Sequence, residues 1–276
     1  MPPASPTPLK FAVSIDGIVV AAQNAVGGLV KADVSTMFSG AGGPPKRQIS
    51  SFAYTNLAFQ LGLDVGTPIL NWINAALKGA PVTKSGTLVE LDVQNRAKSY
   101  LDFTNAAIAD FVVPGFDGSS KTPNTFTLET AISTSTFRAG DNAPVQPSIK
   151  SKPFLPSYFR LNIDGLPTTR VRVIAPISFR RTTGGIAPTD LVVTFSSTDV
   201  GPWRAWVDDF IVKGNNGQGR EKQGSIEVMS PNLSDVLATL TMRQIGIREL
   251  VPLDHTSALP GHRASMYFEF GQLSYP

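Results

Sequence analysis

The sequence predicts a mainly β protein: two tandem antiparallel β-sandwich or open-barrel domains, each with one amphipathic helix. Three observations predict it. Short apolar runs rich in Val, Ile, Phe and Thr are separated by turns, in a chain of 276 residues that holds 24 Gly and 22 Pro, as suits strands joined by tight turns. Each half contains one apolar stripe at helical spacing. Segments of the first half return in the second in the same order.

The elements follow along the chain. FAVSIDGI at 11–18 faces FRLNIDGL at 159–166. In both, Asp-Gly (Asp16-Gly17, Asp164-Gly165) offers the positive φ angles of a type I′ hairpin, so IVVAAQ and PTTRVRVI are expected as return strands. The first half then carries a longer Gly/Pro/Lys/Arg loop or hairpin around 38–52. A helix comes next in each half. In the first, Thr67 is the expected N-cap before Pro68, Ile69, Trp72, Ile73, Ala76 and Leu77 form the stripe, and Gly79 is the stop. In the second, Pro202 opens the helix, Trp203, Trp206, Val207, Phe210 and Ile211 form the stripe, and Gly214 ends it. Trp72, Ile73, Trp203, Trp206 and Phe210 are therefore the expected helix core. After the helices, GTLVELDV and SYLDFTNAAIADFVV parallel GSIEVMSP and VLATLTMRQIGIREL, and Leu101 and Phe103 alternate with Asp102 and Thr104 as in a sheet with one covered face. FTLETAI at 126–132 faces MYFEFGQ at 266–272, Glu129 opposite Glu269.

The offset between matched positions is 148 at Phe11 and Phe159, 135 at Asp64 and Asp199, 139 at Ile108 and Ile247, and 140 at Glu129 and Glu269. One large step followed by small drift is the mark of a duplicated fold with one shortened loop. The expected organisation is domain 1 over 1–137, a Pro-rich linker over 138–157, and domain 2 over 158–276. The linker RAGDNAPVQPSIKSKPFLPS reads as semi-extended.

Composition narrows the function. There is no cysteine, which excludes disulfides, thiolate catalysis and cysteine metal sites. The formal charge is +3 with Lys and Arg scattered, the pattern of a mildly basic solvated surface. MPPASPTPLK lacks an apolar signal core, and no apolar run of about 18 residues occurs, so neither a secretory signal nor a membrane helix is expected. His255 and His262, in DHTSALPGHRAS, read as loop residues without catalytic meaning. GAGGPPKRQ at 40–48 lacks phosphate-loop spacing, GNNGQGR at 214–220 lacks a strand-to-helix setting, and Asp208 and Asp209 point about 100° apart on a helix. No catalytic residue, cofactor or metal is expected, and the chain is not read as an enzyme.

Taken in order, Phe11, Ile15, Asp16 and Gly17, then Leu70 and Trp72, then Leu101, Phe103, Asn105 and Ala106, then Leu128, Glu129 and Thr130 resemble the phage tail tube family, including the related tubes of contractile injection machines. The resemblance covers roughly residues 9 to 137 and, through the repeat, extends more weakly to 157–276. It implies six-domain rings around a lumen. Since the family generally has one such domain per chain, a tandem chain implies three chains in a pseudo-six-fold ring. Gly40, Gly42, Gly43, Pro44, Pro45, Lys46 and Arg47 become a candidate ring-stacking loop. The implied partners are the chain itself as a homo-oligomer, sheath and baseplate proteins, and DNA or an effector passing through the lumen. The implied setting is a virion tail or contractile injection particle, assembled in a bacterial cytoplasm, with no membrane partner. Two alternatives are a baseplate hub or tube-adaptor ring joining tube to spike, and a tandem β-sandwich binding module.

Overall fold

The structure, a computed structural model, describes residues 10–37, 44–253 and 261–276. The first half supplies β1 (Lys10–Ile15), β2 (Ile18–Ala22), β3 (Asn24–Gly27), β4 (Val30–Met37), β5 (Lys46–Tyr54) and β6 (Leu57–Leu61). Helix α1 (Thr67–Leu77) follows, then β7 (Thr83–Leu91), β8 (Ala97–Val113), β9 (Phe116–Asp117), β10 (Phe126–Ala131) and β11 (Thr134–Ala139). The second half supplies β12 (Phe159–Ile163), β13 (Val171–Ile174), β14 (Ile177–Thr182), β15 (Gly185–Pro188) and β16 (Leu191–Ser196). Helix α2 (Val200–Val207) runs into a π-helical turn, Asp208–Val212. The chain closes with β17 (Lys222–Met229), β18 (Val236–Pro252), β19 (Gly261–Tyr267) and β20 (Phe270–Ser274). The expected mainly β class is what the chain adopts.

Hydrogen-bonded order in the first half is β2-β1-β7-β8-β10-β6-β3, with β11 also on β8. In the second it is β12-β17-β18-β19-β16-β13, with β20 also on β18. The orders run in parallel from β1 and β12 onward, and a hairpin follows β3 (β4–β5) as one follows β13 (β14–β15). Local details keep step. Asn105 and Gln244, which share the sequence offset of Ile108 and Ile247, both take left-handed backbone angles (φ 49 and 57) in the middle of a long strand. Nearby, the β7–β8 register shifts between Lys84 and Gly86, and the β17–β18 register between Lys222 and Gly224. A Cβ on Gly86 would lie 2.3 Å from the Ser14 carbonyl oxygen, and one on Gly224 2.5 Å from that of Asn162. Glycine is required at both because the neighbouring backbone passes so close.

The hairpins also begin alike. The Leu29 N–H donates to Thr55 Oγ1 at 3.1 Å and the Thr55 N–H to the Leu29 oxygen at 2.8 Å. Ser178 and Thr189 repeat both bonds, at 3.0 and 2.8 Å. This sets Leu29 against Ser178, Val30 against Phe179 and Lys31 against Arg180.

Several expectations need correction. Asp16-Gly17 turns β1 into β2 with φ 50 and 79, but β12 does not fold back onto PTTRVRVI. The turn itself closes, the Leu166 N–H donating to the Ile163 oxygen at 3.1 Å, but the chain leaves the hairpin path at Pro167 and strand β13 pairs with β16 and β9 instead. Thr67 is the first helical residue of α1, not its cap, which is Gly66 at φ 77. FTLETAI does not lie over MYFEFGQ: Glu129 stands opposite Asp110, while Ser265 stands opposite Glu249. Since Asp110 and Glu249 are separated by the same offset as Asn105 and Gln244, β10 corresponds to 262–267 and Glu269 falls in the turn before β20.

The helices keep their expected cores, with one change. Ile69, Trp72, Ile73, Ala76 and Leu77 are all buried on α1, and Trp203, Trp206 and Phe210 on the second helix. Ile211 is not; it is half-exposed. Pro68 and Pro202, and the buried pairs Ile69–Trp203 and Trp72–Trp206, all share one sequence offset, which has grown by a single position at Gly79 and Gly214. The π-helical turn takes up the extra residue, and its wider winding rotates Ile211 off the buried face.

The core is continuous across both halves. Phe126, Phe154, Phe116 and Phe159 form a run of rings with centroids 5.2, 6.1 and 5.5 Å apart. Phe111, Phe179 and Phe268 continue it at 6.1 and 5.8 Å. Phe154 comes from the connector, which lies along the first half through bridges of Ile149 to Val20, Lys152 to Leu63 and Phe154 to Asn124. Each such ring contributes about 1.5–3 kcal/mol by burial alone, so the two halves cannot separate without exposing several of them.

Candidate assembly interface

Strand β8 is 17 residues long, and its length is what joins the halves. One edge carries β11 and then β10. The other carries β7 along Ala97–Ala107, and beyond it β14 of the second half along Asp110–Val113. The register is Ile177 to Val113, Ser178 to Val112, Phe179 to Phe111 and Arg180 to Asp110. The second half thus adds its hairpin as a further strand on a sheet of the first.

Side chains hold this register. Phe179, fully buried, packs between Phe111 of the first half and Phe268 of the second. Asp110 is only 6% exposed. Its carboxylate accepts from Ser178 Oγ at 2.6 Å and from Arg180 Nε and Nη2 at 3.3 Å. Arg181 Nε donates to the Ile108 carbonyl at 2.8 Å. A buried carboxylate stripped of these donors would be left unsatisfied, at a cost of about 1–3 kcal/mol. Two further contacts flank the strand pair. β9 pairs with β13, Phe116 to Ile174 and Asp117 to Val173. Asn74 on α1 mimics a strand edge toward β20, its amide donating to the Leu273 oxygen at 2.8 Å and its Oδ1 accepting from the Leu273 N–H at 2.9 Å.

What this arrangement does is pair strands. His262 lies in β19 and is not a loop residue, contrary to expectation. It stacks on Phe195, and its Nδ1 lies 3.2 Å from Ser197 Oγ. Burial, then the Arg204 guanidinium, holds its imidazole below the usual value. Asp199 next to this site is ion-paired with Arg170 at 2.7 Å. The Tyr267 hydroxyl donates to Glu221 Oε1 at 2.8 Å, and burial with that carboxylate pushes it up to about 12. Among the described residues, no three His, Asp or Glu side chains are grouped as metal ligands, and no helix is long and apolar enough to cross a membrane.

Of the residues singled out from sequence, Trp72, Ile73, Trp203, Trp206 and Phe210 are buried. Pro44, Pro45, Lys46 and Arg47 are exposed at the tip of the β4–β5 hairpin, and Gly40, Gly42 and Gly43 lie outside the described residues. His255 and Asp254 lie outside them too. Sequence reasoning missed Asp110, Phe111, Phe179 and Arg180. One signal was present: a lone carboxylate in the apolar run IADFVV, and a pair of arginines ending the run ISF.

A scan against protein-family models finds no match, and a search of curated proteins finds none. Among solved structures, the chain is similar to one in the extended sheath–tube complex of the extracellular contractile injection system PVC (17% identity, TM-score 0.42). It is also similar to one in the tube-terminating cap of the anti-feeding prophage (18%, 0.42) and to one in that particle's six-fold symmetrised baseplate (14%, 0.39). Each likeness covers 50% of this chain, and 94%, 93% and 97% of the other chain in turn.

Proposed function

We propose that the chain is a structural ring-forming protein of a phage tail or contractile injection machine. Three two-domain copies close a pseudo-six-fold ring around a lumen that passes DNA or an effector, and sheath and baseplate proteins contact it from outside. The observation that carries this reading is the β8–β14 pairing: two units of like strand order meet edge to edge inside one chain. A contact between non-identical surfaces is head-to-tail, and such contacts repeat until they close on themselves or run on as a filament. Closure also hides strand edges that would otherwise pair without control. The order of tail-tube-like motifs along the sequence points to the same role.

A second reading, a hub or adaptor ring, is favoured by one observation. The β4–β5 hairpin has strands of eight and nine residues, while β14–β15 has six and four. A ring of three such chains would present long hairpins at every second position, matching a three-fold neighbour. In a tube, the exposed tip at Pro44–Arg47 would contact the next ring. Mass photometry and negative-stain microscopy of the purified chain test these readings. Particles of three chain masses with a central hole are expected. Stacks or tubes select the tube role and isolated rings the hub, whereas a chain that stays monomeric at high concentration is a tandem binding module.

A further inference from the structure

Two contacts that the first half offers to the second, the free edge of β8 and the surface of the helix, have counterparts in the second half that no strand covers among the described residues. Strand β18 carries β19 and β20 on one edge and β17 on the other, but β17 stops at Ile245. Beyond it, Glu249–Pro252 occupies the place of Asp110–Val113, and among the described residues no strand pairs with that edge. Asp110 and Phe111 are buried; Glu249 is exposed and Leu250 half-exposed. Among the described residues, the strand that belongs there has no second neighbour either. The β4–β5 hairpin forms a sheet of its own, exposed along nearly its whole length. Leu29 spends its backbone groups on Thr55, so the N–H and C=O of Val30 face outward to the open edge.

The same correspondence pairs a second set of surfaces. Leu273, which meets α1 within the chain, is 2% exposed. Leu273 stands opposite Leu240 and Phe137 opposite Leu101, and Leu101 and Leu240 are themselves matched positions of the two long strands. Phe137 is therefore the counterpart of Leu273 on β11, and it is 68% exposed. On the other side, the end of the second helix leaves Val212 74% exposed and Ile211 half-exposed. Each half thus leaves apolar side chains bare, Phe137 at a position whose counterpart, Leu273, is covered.

We infer that a second copy of this chain docks by repeating the internal contact. Its Gly28–Lys31 adds to the Glu249–Pro252 edge of the first copy, and its Phe137 packs on Ile211 and Val212. The hairpin register places Lys31 across from Glu249, as Arg180 stands across from Asp110, and Val30 across from Leu250. Lys31 would bring a second cation to Glu249, whose carboxylate already lies 3.8 Å from the Arg263 guanidinium within the chain. Pro252 has no N–H to give at this edge, so the Val30–Leu250 exchange carries the backbone pairing and the flanking apolar contact supplies the rest. This inference rests on the ring reading and assigns it a seam.

Engineered cysteines test it cleanly, because the native chain has none. Lys31 and Glu249 would form a non-hydrogen-bonded pair, with Cα atoms about 4.5 Å apart, within disulfide reach. Oxidising the assembled double variant Lys31→Cys, Glu249→Cys should give covalent dimers and then trimers on a non-reducing gel, while each single variant stays uncross-linked at this seam. In parallel, Lys31→Glu should weaken association, Lys31→Glu with Glu249→Lys should restore it, and Phe137→Asp should weaken it by roughly tenfold or more. Rings that assemble without cross-linking and ignore charge reversal would overturn the seam and leave the ring reading standing. Cross-linked ladders running past three chains would uphold the seam and overturn the three-chain ring. A chain that never associates would overturn both.

Discussion

At the scale of single residues, the clearest consequence concerns His262. Burial and the nearby Arg204 guanidinium lower its imidazole, so as pH falls the unfolded chain takes up a proton before the folded one. The stabilisation is complete above about 6.5, the unfolded value, and is lost as pH drops below it. Thermal melts at pH 7.5 and 5.5 should show a larger fall in Tm for the native chain than for His262→Gln; equal falls would contradict this. The lowered carboxyl of Asp102, held by Arg138 and the Thr87 hydroxyl, acts in a separate window, near and below pH 4, so the two contributions can be told apart. Backbone crowding yields a second expectation. Gly86→Ala and Gly224→Ala should each destabilise by about 1–3 kcal/mol, because the new methyl meets a carbonyl oxygen and not a flexible side chain. Chemical denaturation measures both, and no loss at either position would refute the close approach.

At the scale of elements, much was legible in the sequence, and the limits have physical causes. The stripe of α1 was read correctly because its burial follows the regular helical period from Ile69 to Leu77. The stripe of the second helix was misread at Ile211, because a π-helical turn changes the period within the last turn. Trp203→Ala should therefore cost about 3–5 kcal/mol, while Ile211→Ala should cost less than about 0.5 kcal/mol in the unassembled chain. Equal costs in urea melts would restore the regular helix. Alternation within β8 and β18 was visible, since Leu101, Phe103, Leu240 and Met242 face one side. Which strand lies on which edge was not, because strand pairing is a long-range choice that alternation does not encode. The partnership of Asp110 with Arg180 belongs to that hidden part: the two residues are 70 apart in sequence and meet only once the halves have docked.

At the scale of the whole molecule, two hairpins with the same start differ in what they touch. Strand β14 is paired on both sides, with β15 and β8, whereas among the described residues β4 is paired only with β5. An isolated two-stranded hairpin is marginal in water, and amides at an open edge exchange from near-zero opening energies. Hydrogen exchange on dilute, unassembled chain should therefore find the Val30 amide fast and the Phe179 amide slow, although they hold corresponding positions. On assembly through the inferred seam, Val30 should slow toward the rate of Phe179, and Leu250 should slow with it, while Phe179 itself stays unchanged. The comparison carries its own control, since the internal pairing is present in both states. Protection that appears at the tip around Lys46 and Arg47 and leaves Val30 fast would mean that copies meet through the hairpin end and stack, without the lateral edge taking part.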